Sequence, residues 1–195
     1  KFGREHPLNA VLTRTGRDPR PWDPDEFFET GKQEIAAVLA YLRDRHVPLR
    51  LDRALDFGAG AGRLSQALGD HFGFVLGIDI AESMLEAARR FNRHGARVEY
   101  RVNTAADLSL LDDGSFDFVF SSITLQHIPP EASAQYIQEF FRVLRPGGVA
   151  VFQVPNGRAY APGSLGARLY TFRRHHLRRF WKVIRGRHPV EMHYL

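Results

Sequence analysis

Short apolar segments alternate with segments of helical periodicity through most of this chain. The pattern predicts strands over residues 51–57, 74–79, 98–102, 116–121 and 149–154, and helices over residues 24–46, 63–71, 81–92 and 130–144. Short apolar strands with helices between most of them form a parallel sheet that is covered on both faces. We therefore predict an α/β fold with a doubly wound, mostly parallel sheet, and 195 residues suffice for one such domain.

A glycine-rich turn follows the first predicted strand, in the sequence Asp56-Phe57-Gly58-Ala59-Gly60-Ala61-Gly62. Ligands of doubly wound sheets bind beyond the carboxyl ends of the strands, so this turn lies where a ligand is expected. Its glycines let the backbone turn tightly and approach that ligand closely. The dinucleotide pattern Gly-x-Gly-x-x-Gly would place its third glycine at Arg63 and is absent. A nicotinamide dehydrogenase is therefore disfavoured.

Acidic residues end the first two predicted strands. Asp56 would repel a pyrophosphate, which prefers helix N–H groups without a carboxylate nearby, but it would attract a cationic ligand. Asp79 stands 23 positions later and is placed to accept both hydroxyls of a ribose, or else it only caps the next helix. Ile80 and Met84 would flank a nucleobase as apolar walls, although a methionine on a helix is more often part of the core.

Four segments in order resemble the class I S-adenosylmethionine-dependent methyltransferases that act on small molecules. They are the Asp-x-Gly-x-Gly-x-Gly turn, the acidic Asp107 after the third strand, Ser115-Phe116-Asp117 followed by Leu125-Gln126-His127, and Arg142-Val143-Leu144-Arg145-Pro146-Gly147-Gly148 before the fifth strand. The similarity covers about residues 51–155. The resemblance implies S-adenosylmethionine as the cofactor and methyl transfer to a small molecule as the activity.

The resemblance also implies which residues contact the cofactor: Asp56, Gly58, Ala59, Gly60, Gly62, Asp79, Ile80, Met84, Asn103, Thr104, Ala105, Ser121 and Gln126. Many relatives have Gly-Asp-Ala beside the adenine where this chain has Asn103-Thr104-Ala105. Either Thr104 or Asn103 would accept from the adenine amino group, and the Ala105 N–H would donate to the ring. Asp107 is a second candidate, and Ser121 would offer its carbonyl to the cofactor's ammonium, as would Ser122.

His127 is the candidate general base. It follows the fourth strand, where the transferable methyl group would project, and histidine ordinarily titrates near neutral pH. This slightly favours O-methylation over N- or C-methylation, while the alternative is that His127 only holds its loop in shape. Gln126 would orient the substrate or the cofactor. The histidines show no metal-ligand pattern such as His-Glu-x-x-His, and we expect no metal.

We predict three parts in the chain: an irregular arm over residues 1–24, a cofactor-binding core over 25–155, and a basic, partly helical segment over 156–195. In the first helix of the core, Phe27 and Phe28 resemble a lid over the cofactor, or they simply pack on the sheet. The two further strands that the family usually has are not recognisable. The prediction is therefore a sheet that lacks its last strands, because the chain is truncated or because a partner completes it.

Residues 156–195 carry nine Lys and Arg but one acid, in a chain whose net charge is +5. Residues 165–184 show the spacing of a basic amphipathic helix. Such a helix could be an ordinary surface helix, cover the acceptor, bind an anionic or sugar-linked acceptor, or lie on an anionic membrane. The alternative function is thus a non-catalytic, methyltransferase-like binding module or one that associates with a membrane surface. No recognised nucleic-acid motif accompanies the charge, so a nucleic-acid partner is disfavoured. The sequence does not decide between a monomer and an oligomer.

The chain has no cysteine, which excludes disulfides, thiolate metal sites and a cysteine nucleophile. It has no apolar run of about 18 residues that would predict a membrane span. No apolar signal segment follows its first residues, so the cytoplasm is the expected compartment.

Overall fold

The computed structural model describes residues 7–12 and 21–154, together with the backbone of two later strands. The helices are α1 (Pro7–Val11), α2 (Pro24–Asp44), α3 (Arg63–Gly69), α4 (Glu82–Phe91) and α5 (Pro130–Val143). The strands are β1 (Arg53–Phe57), β2 (Phe74–Asp79), β3 (Val98–Val102), β4 (Phe116–Ser121), β5 (Leu144–Phe152), β6 (Phe180–Arg185) and β7 (Met192–Tyr194). Short 3-10 turns lie at Gly95–Arg97 and Leu125–His127.

Strands β1 to β5 form a parallel sheet in the order β3-β2-β1-β4-β5, which confirms the predicted doubly wound fold. In β1, Leu55 lies opposite Leu76 of β2 on one side and opposite Val119 of β4 on the other. The strand order therefore reverses between β1 and β4. The carboxyl ends of these two strands border the crevice in which such folds bind their ligands.

Helices cover both faces of the sheet. One face packs on α2, α3 and α4 through a cluster that includes Ile35, Leu68 and Leu85. The other face packs on α5 through Phe140 and its neighbours. Every residue of β4 is buried, as expected for a strand that is covered on both sides. None of the described helices is long and apolar enough to span a bilayer.

Helix α2 begins where the sequence predicts. The Asp23 side chain accepts hydrogen bonds from the N–H groups of Asp25 and Glu26 at 2.9 and 3.1 Å, and Pro24 occupies the first helical position. Further along, a Cβ on Gly31 would collide with the backbone carbonyl of Arg63. Glycine at this position lets α2 lie directly against α3, so α2 is packed over the turn that follows β1.

The N-terminal arm is not wholly irregular, which corrects the prediction for residues 1–24. Pro7–Val11 is helical, and Leu8 is buried in a cluster with Phe27 and Phe28. The Trp22 indole N–H donates to the Leu12 carbonyl at 2.8 Å. Tertiary contacts hold this short helix, and its Pro-, Arg- and Asp-rich sequence surroundings do not signal them. The boundaries of the three predicted parts stay a prediction.

The sheet also continues beyond β5, so the prediction that the last strands are lacking is wrong. Strand β6 pairs antiparallel with β5, with Ala150 opposite Ile184, and β7 pairs antiparallel with β6. The same residues correct the predicted helix over 165–184, because 180–184 are extended. Aromatic and β-branched residues favour a strand here, and the free edge of β5 supplies hydrogen-bond partners that a periodicity argument cannot see. Residues 165–179 lie outside the described part of the chain.

Strand β5 begins at Leu144, earlier than the predicted residue 149. The segment 145–148, which was expected to separate helix from strand, lies within the strand because Leu144 already pairs with Phe116. The register shifts between Phe116 and Phe118, and Gly147 has φ +83°, so the extra residues form an irregular bulge.

Candidate functional site

The glycine turn after β1 is held to the end of β2. The N–H groups of Gly58 and Ala59 donate to the Ile78 carbonyl at 2.9 and 3.0 Å. Gly58 has φ +82°, and a Cβ there would overlap the Thr124 side chain. Gly60 and Gly62 also have positive φ. The turn therefore needs glycine both for its left-handed backbone and for the space above it.

Asp79 joins the glycine turn to the start of α4. One carboxylate oxygen accepts from the Gly60 N–H at 2.9 Å, and the other accepts from the Ala81 N–H at 2.9 Å. Each oxygen has a second lone pair that can accept a further hydrogen bond. Ala81 is the N-cap residue of α4, and no side chain caps this helix, so the helix-cap role that the sequence leaves open is not observed. A role of Asp79 toward a ribose stays a prediction.

A cavity of about 710 Å³ opens at the carboxyl ends of the strands. Ten of the predicted site residues line it: Gly58, Gly60, Asp79, Ile80, Met84, Asn103, Thr104, Ala105, Ser122 and His127. Ile80 is 71% exposed at this wall, which is unusual for an isoleucine and fits a surface that a flat apolar ring would cover. The cavity joins the ends of β2 and β3 to the loop after β4.

Six other predicted residues do not line the cavity: Asp56, Ala59, Gly62, Asp107, Ser121 and Gln126. Ala59 is buried within the turn, and Gly62 packs against Tyr100. The Ser121 hydroxyl is buried and donates to the Phe57 carbonyl at 3.0 Å. Gln126 is exposed, with its amide nitrogen 3.1 Å from Nε2 of His127. Their predicted roles stay predictions.

Asp56 is fully buried beneath the turn. The Ser65 hydroxyl donates to Oδ2 at 2.6 Å, but Oδ1 has no partner among the described residues. Burial raises the pKa of the Asp56 carboxyl to about 7, against the opposing effects of the Ser65 hydrogen bond and the Arg63 charge. A cationic group near Asp56 would favour its charged form.

The loop after β3 is stabilised by its own side chains. The Asn103 amide donates to the Asp107 carbonyl at 2.8 Å, and its oxygen accepts from the Ala105 N–H at 3.2 Å. The Ala105 N–H, predicted to donate to a ligand ring, is therefore already used within the loop. Thr104 is exposed and lines the cavity, so it keeps its hydroxyl for a ligand.

Tyr136 of α5 is a cavity residue that the sequence does not identify. Its hydroxyl donates to the Ala105 carbonyl at 2.7 Å, and its ring lies 4.6 Å from that of Phe57. Other lining residues that the sequence does not single out are Val11, Ala106, Ile123, Thr124, Ile128, Pro129 and Ala132. Most lie in or next to the loop after β4, so the position of that loop was the available signal.

Glu34 of α2 connects three elements around the cavity. Its carboxylate pairs with the Arg63 guanidinium at 2.8 Å and accepts from the Ser122 hydroxyl at 2.7 Å. The Arg63 side chain is 3% exposed, so the ion pair is buried. Nothing in the sequence spacing predicts this network, because its members come from α2, α3 and the end of β4.

His127 lies in the 3-10 turn after β4 and is exposed at the cavity wall. Within the described residues, no cluster of three or more His, Asp or Glu side chains could hold a metal ion. His127 contacts the Gln126 amide, whose nitrogen lies 3.1 Å from its Nε2, and its role as general base stays a prediction.

A doubly wound sheet with an acid–glycine turn at its switch point and a second acid at the next strand defines the Rossmann-like class of nucleoside-binding proteins. Residues 54–148 match a family model described as a methyltransferase domain. The ubiquinone biosynthesis O-methyltransferase of Xanthomonas oryzae pv. oryzae is 33% identical over 174 residues, which are 84% of this chain and 70% of that protein. The chain belongs to the class I S-adenosylmethionine-dependent methyltransferases.

Other comparisons agree on the family and the fold. The ubiquinone biosynthesis O-methyltransferase of Thiobacillus denitrificans is 32% identical over 151 residues, covering 76% of this chain. The chain spans 64% of the length of that relative. A solved structure of phosphoethanolamine N-methyltransferase 1 from Haemonchus contortus, with phosphoethanolamine and S-adenosylhomocysteine, has a TM-score of 0.61 at 20% identity. The match covers 83% of this chain and 34% of the Haemonchus contortus chain, and the two share the fold.

Proposed function

We propose that this chain binds S-adenosylmethionine in the cavity and transfers its methyl group to a hydroxyl of a small molecule. One observation supports the proposal: Asp79, the glycine turn and His127 after β4 all line the same continuous cavity. Its volume of about 710 Å³ is that of a site for a ligand of nucleoside size or larger. The names of the curated relatives support an oxygen nucleophile.

The adenosine end fits the residues around Asp79. Its carboxylate oxygens have lone pairs for the ribose hydroxyls. Ile80 and Met84 supply apolar walls for a base, and Thr104 lines the cavity with a hydroxyl that could accept from an amino group. Tyr136 holds the Ala105 carbonyl, which fixes the loop against which the base would lie.

The methionine end fits the residues around Asp56. The cofactor carries an ammonium and a sulfonium there. Such cations would favour the charged form of the buried Asp56 carboxyl, whose Oδ1 has no partner among the described residues. The glycine turn lets the ligand approach the backbone above this carboxylate. The fit therefore rests on a buried charge as well as on shape.

The bound group supplies a methyl carbon that a neighbouring sulfonium already activates. The protein then needs to align the acceptor, take up a proton and exclude water. His127 lies at the cavity wall after β4, where it can take the proton of an acceptor hydroxyl. Val11 of α1 covers the glycine turn from outside, close to Gly60. An anionic or sugar-like acceptor, membrane contact and an oligomer stay predictions.

Calorimetric titration with S-adenosylmethionine, and separately with NAD, tests the cofactor. We expect saturable binding of the first alone. Gly60→Val should abolish that binding, because Gly60 has φ +53° and Val11 lies 3.0 Å from a Cβ there. Gly95→Val is the matched control, since Gly95 has φ +57° with no atom within 4 Å of a Cβ. Equal affinities of the two variants would contradict the site.

The activity is tested with methyl-labelled S-adenosylmethionine and a panel of phenols and catechols. Label in an organic-extractable product is the expected outcome. Cofactor binding without transfer to any acceptor, in the panel or in a metabolite extract, would instead favour a non-catalytic binding module.

A further inference from the structure

Ile123, directly after β4, has φ +64°. A β-branched residue in the left-handed region is a genuine outlier, whereas glycine, asparagine or aspartate adopts this backbone with little strain. Ile123 belongs to none of the three hydrophobic clusters of the described residues, so core packing does not explain an isoleucine here. Strain of this kind persists where surrounding contacts fix it, and such places cluster at ligand sites.

Contacts from both sides hold the strained backbone. The Ile123 N–H donates to Oε1 of Gln153 at 3.2 Å, and the Gln153 N–H donates to the Ser121 carbonyl at 3.0 Å. On the other side, the Thr124 hydroxyl donates to the Ser122 carbonyl at 3.2 Å. Gln153, which follows β5, thus fixes the backbone on which the Ile123 side chain is carried.

The position of Ile123 relates to the cavity. Strand β4 is separated from β2 and β3 in the sheet by β1. The cavity end beside β4, away from Asp79 and the loop after β3, is therefore lined by Ser122, Ile123, Thr124 and His127. If the adenosine occupies the Asp79 end, the transferred methyl group projects toward the end of β4. The Ile123 side chain is then the apolar surface beside the acceptor atom, while His127 is the polar one.

We infer that Ile123 forms the wall of the acceptor subsite next to the transferred methyl group, and that Gln153 is the positioning residue that holds it there. The acceptor is accordingly a molecule that presents a hydrocarbon group beside its nucleophilic oxygen. This inference rests on the proposed function, because it places the cofactor in the cavity in one direction.

Sinefungin tests the wall without knowledge of the acceptor. This analogue carries a protonated amine where S-adenosylmethionine carries the methyl group, and S-adenosylhomocysteine carries nothing there. The methionine ammonium is common to both ligands, so the ratio of their affinities isolates the methyl position. Ile123→Asp should raise that ratio in favour of sinefungin about tenfold through a charge-assisted hydrogen bond. Ile123→Asn, without the charge, should raise it less.

Ile80→Asp is the matched control, since Ile80 lines the adenosine end of the same cavity. It should change the affinities for both ligands alike and leave the ratio within twofold. An unchanged ratio in Ile123→Asp, with S-adenosylhomocysteine still bound, would overturn the inference alone. Failure of the unmodified protein to bind S-adenosylhomocysteine would overturn the proposed function and this inference with it.

The positioning role of Gln153 is tested by whether it keeps the side chain at position 123 beside the methyl position. In the Ile123→Asp background, Gln153→Leu should remove most of the gain in sinefungin affinity and leave the affinity for S-adenosylhomocysteine unchanged. Gln153→Glu keeps an oxygen acceptor for the N–H and should retain the gain. A Gln153→Leu variant that binds sinefungin as tightly as its parent would show that Gln153 does not position the wall.

Discussion

The carboxyl ends of β1 and β4 both require a left-handed backbone, but they meet this requirement with different residues. After β1 the residue is Gly58, and the Thr124 side chain occupies the space that a Cβ would take. After β4 it is Ile123, a residue with a full side chain that lines the cavity. The difference separates two kinds of demand. The first end requires that no side chain be present, and the second end carries one despite its strain.

The largest effect should come from Gly58→Ala. The new methyl group would overlap Thr124 and impose a left-handed backbone on alanine, so we expect a loss of about 3 kcal/mol in the free energy of unfolding. The affinity for S-adenosylhomocysteine should fall at least about 100-fold, a change of about 2.7 kcal/mol. Denaturant unfolding and calorimetry measure the two quantities.

Gly147→Ala is its control, because Gly147 has φ +83° but no atom within 4 Å of a Cβ. That variant isolates the backbone strain and should lose about 1 kcal/mol. Equal losses in the two variants would mean that close approach does not distinguish the β1 end.

Asp56→Asn removes the charge beneath the carboxyl end of β1. The residue compared with it at the end of β4, Ile123, is apolar. Loss of one charge contact should weaken S-adenosylhomocysteine binding about tenfold at pH 8, measured by calorimetry. The stability should change in the opposite sense. Because the folded pKa of Asp56 is raised to about 7, the folded chain keeps a proton that the unfolded chain loses near pH 4.

The contribution of Asp56 to the free energy of unfolding therefore falls as pH rises from about 4 to 7. Asp56→Asn should remove this decline and be more stable than the unmodified protein at pH 8. Asp112→Asn, at an exposed carboxylate, should leave the pH profile of stability as it is. A variant less stable than the parent at pH 8 would show that the Asp56 charge is compensated in the folded protein.

The smallest effect should come from Ile123→Asn, and it should have the opposite sign from Gly58→Ala. Asparagine tolerates positive φ, so the free energy of unfolding should rise by about 0.5 kcal/mol. Ile80→Asn, on ordinary backbone, should change it by less than about 0.5 kcal/mol in either direction. Thermal unfolding compares the two, and a clear loss of stability at position 123 would mean that the isoleucine is packed rather than strained.

The sequence predicted the strands, helices and turns that depend mainly on residues close to one another in the chain. Strand β2 has its predicted bounds at Phe74–Asp79, and Gly58, Gly60 and Asp79 of the predicted site line one cavity. Their contacts with a ligand stay a prediction. These features follow from residues close in sequence, where periodicity and turn chemistry are informative.

Contacts between distant segments could not be predicted in this way. Tyr136 reaches the Ala105 carbonyl across 31 positions, and Glu34 reaches Ser122 across 88. The strand over residues 180–185 was mistaken for part of a helix, because its extended form depends on pairing with β5. The complete burial of Asp56 below the turn depends on packing and could not be predicted from local sequence, and its predicted contact with the cofactor stays a prediction.

The Glu34–Arg63 ion pair has a consequence for how a ligand is exchanged. Lifting α2 away from the sheet would break this ion pair and expose apolar side chains that the helix buries, among them Phe27, Phe28 and Ile35. Helix α1 covers Gly60 through Val11. Hydrogen bonds from Trp22 to the Asn9 side chain and the Leu12 carbonyl hold it, together with a small apolar cluster. The barrier to release is therefore lower on the α1 side. The residence time of the ligand should respond to changes at Trp22 well before α2 moves.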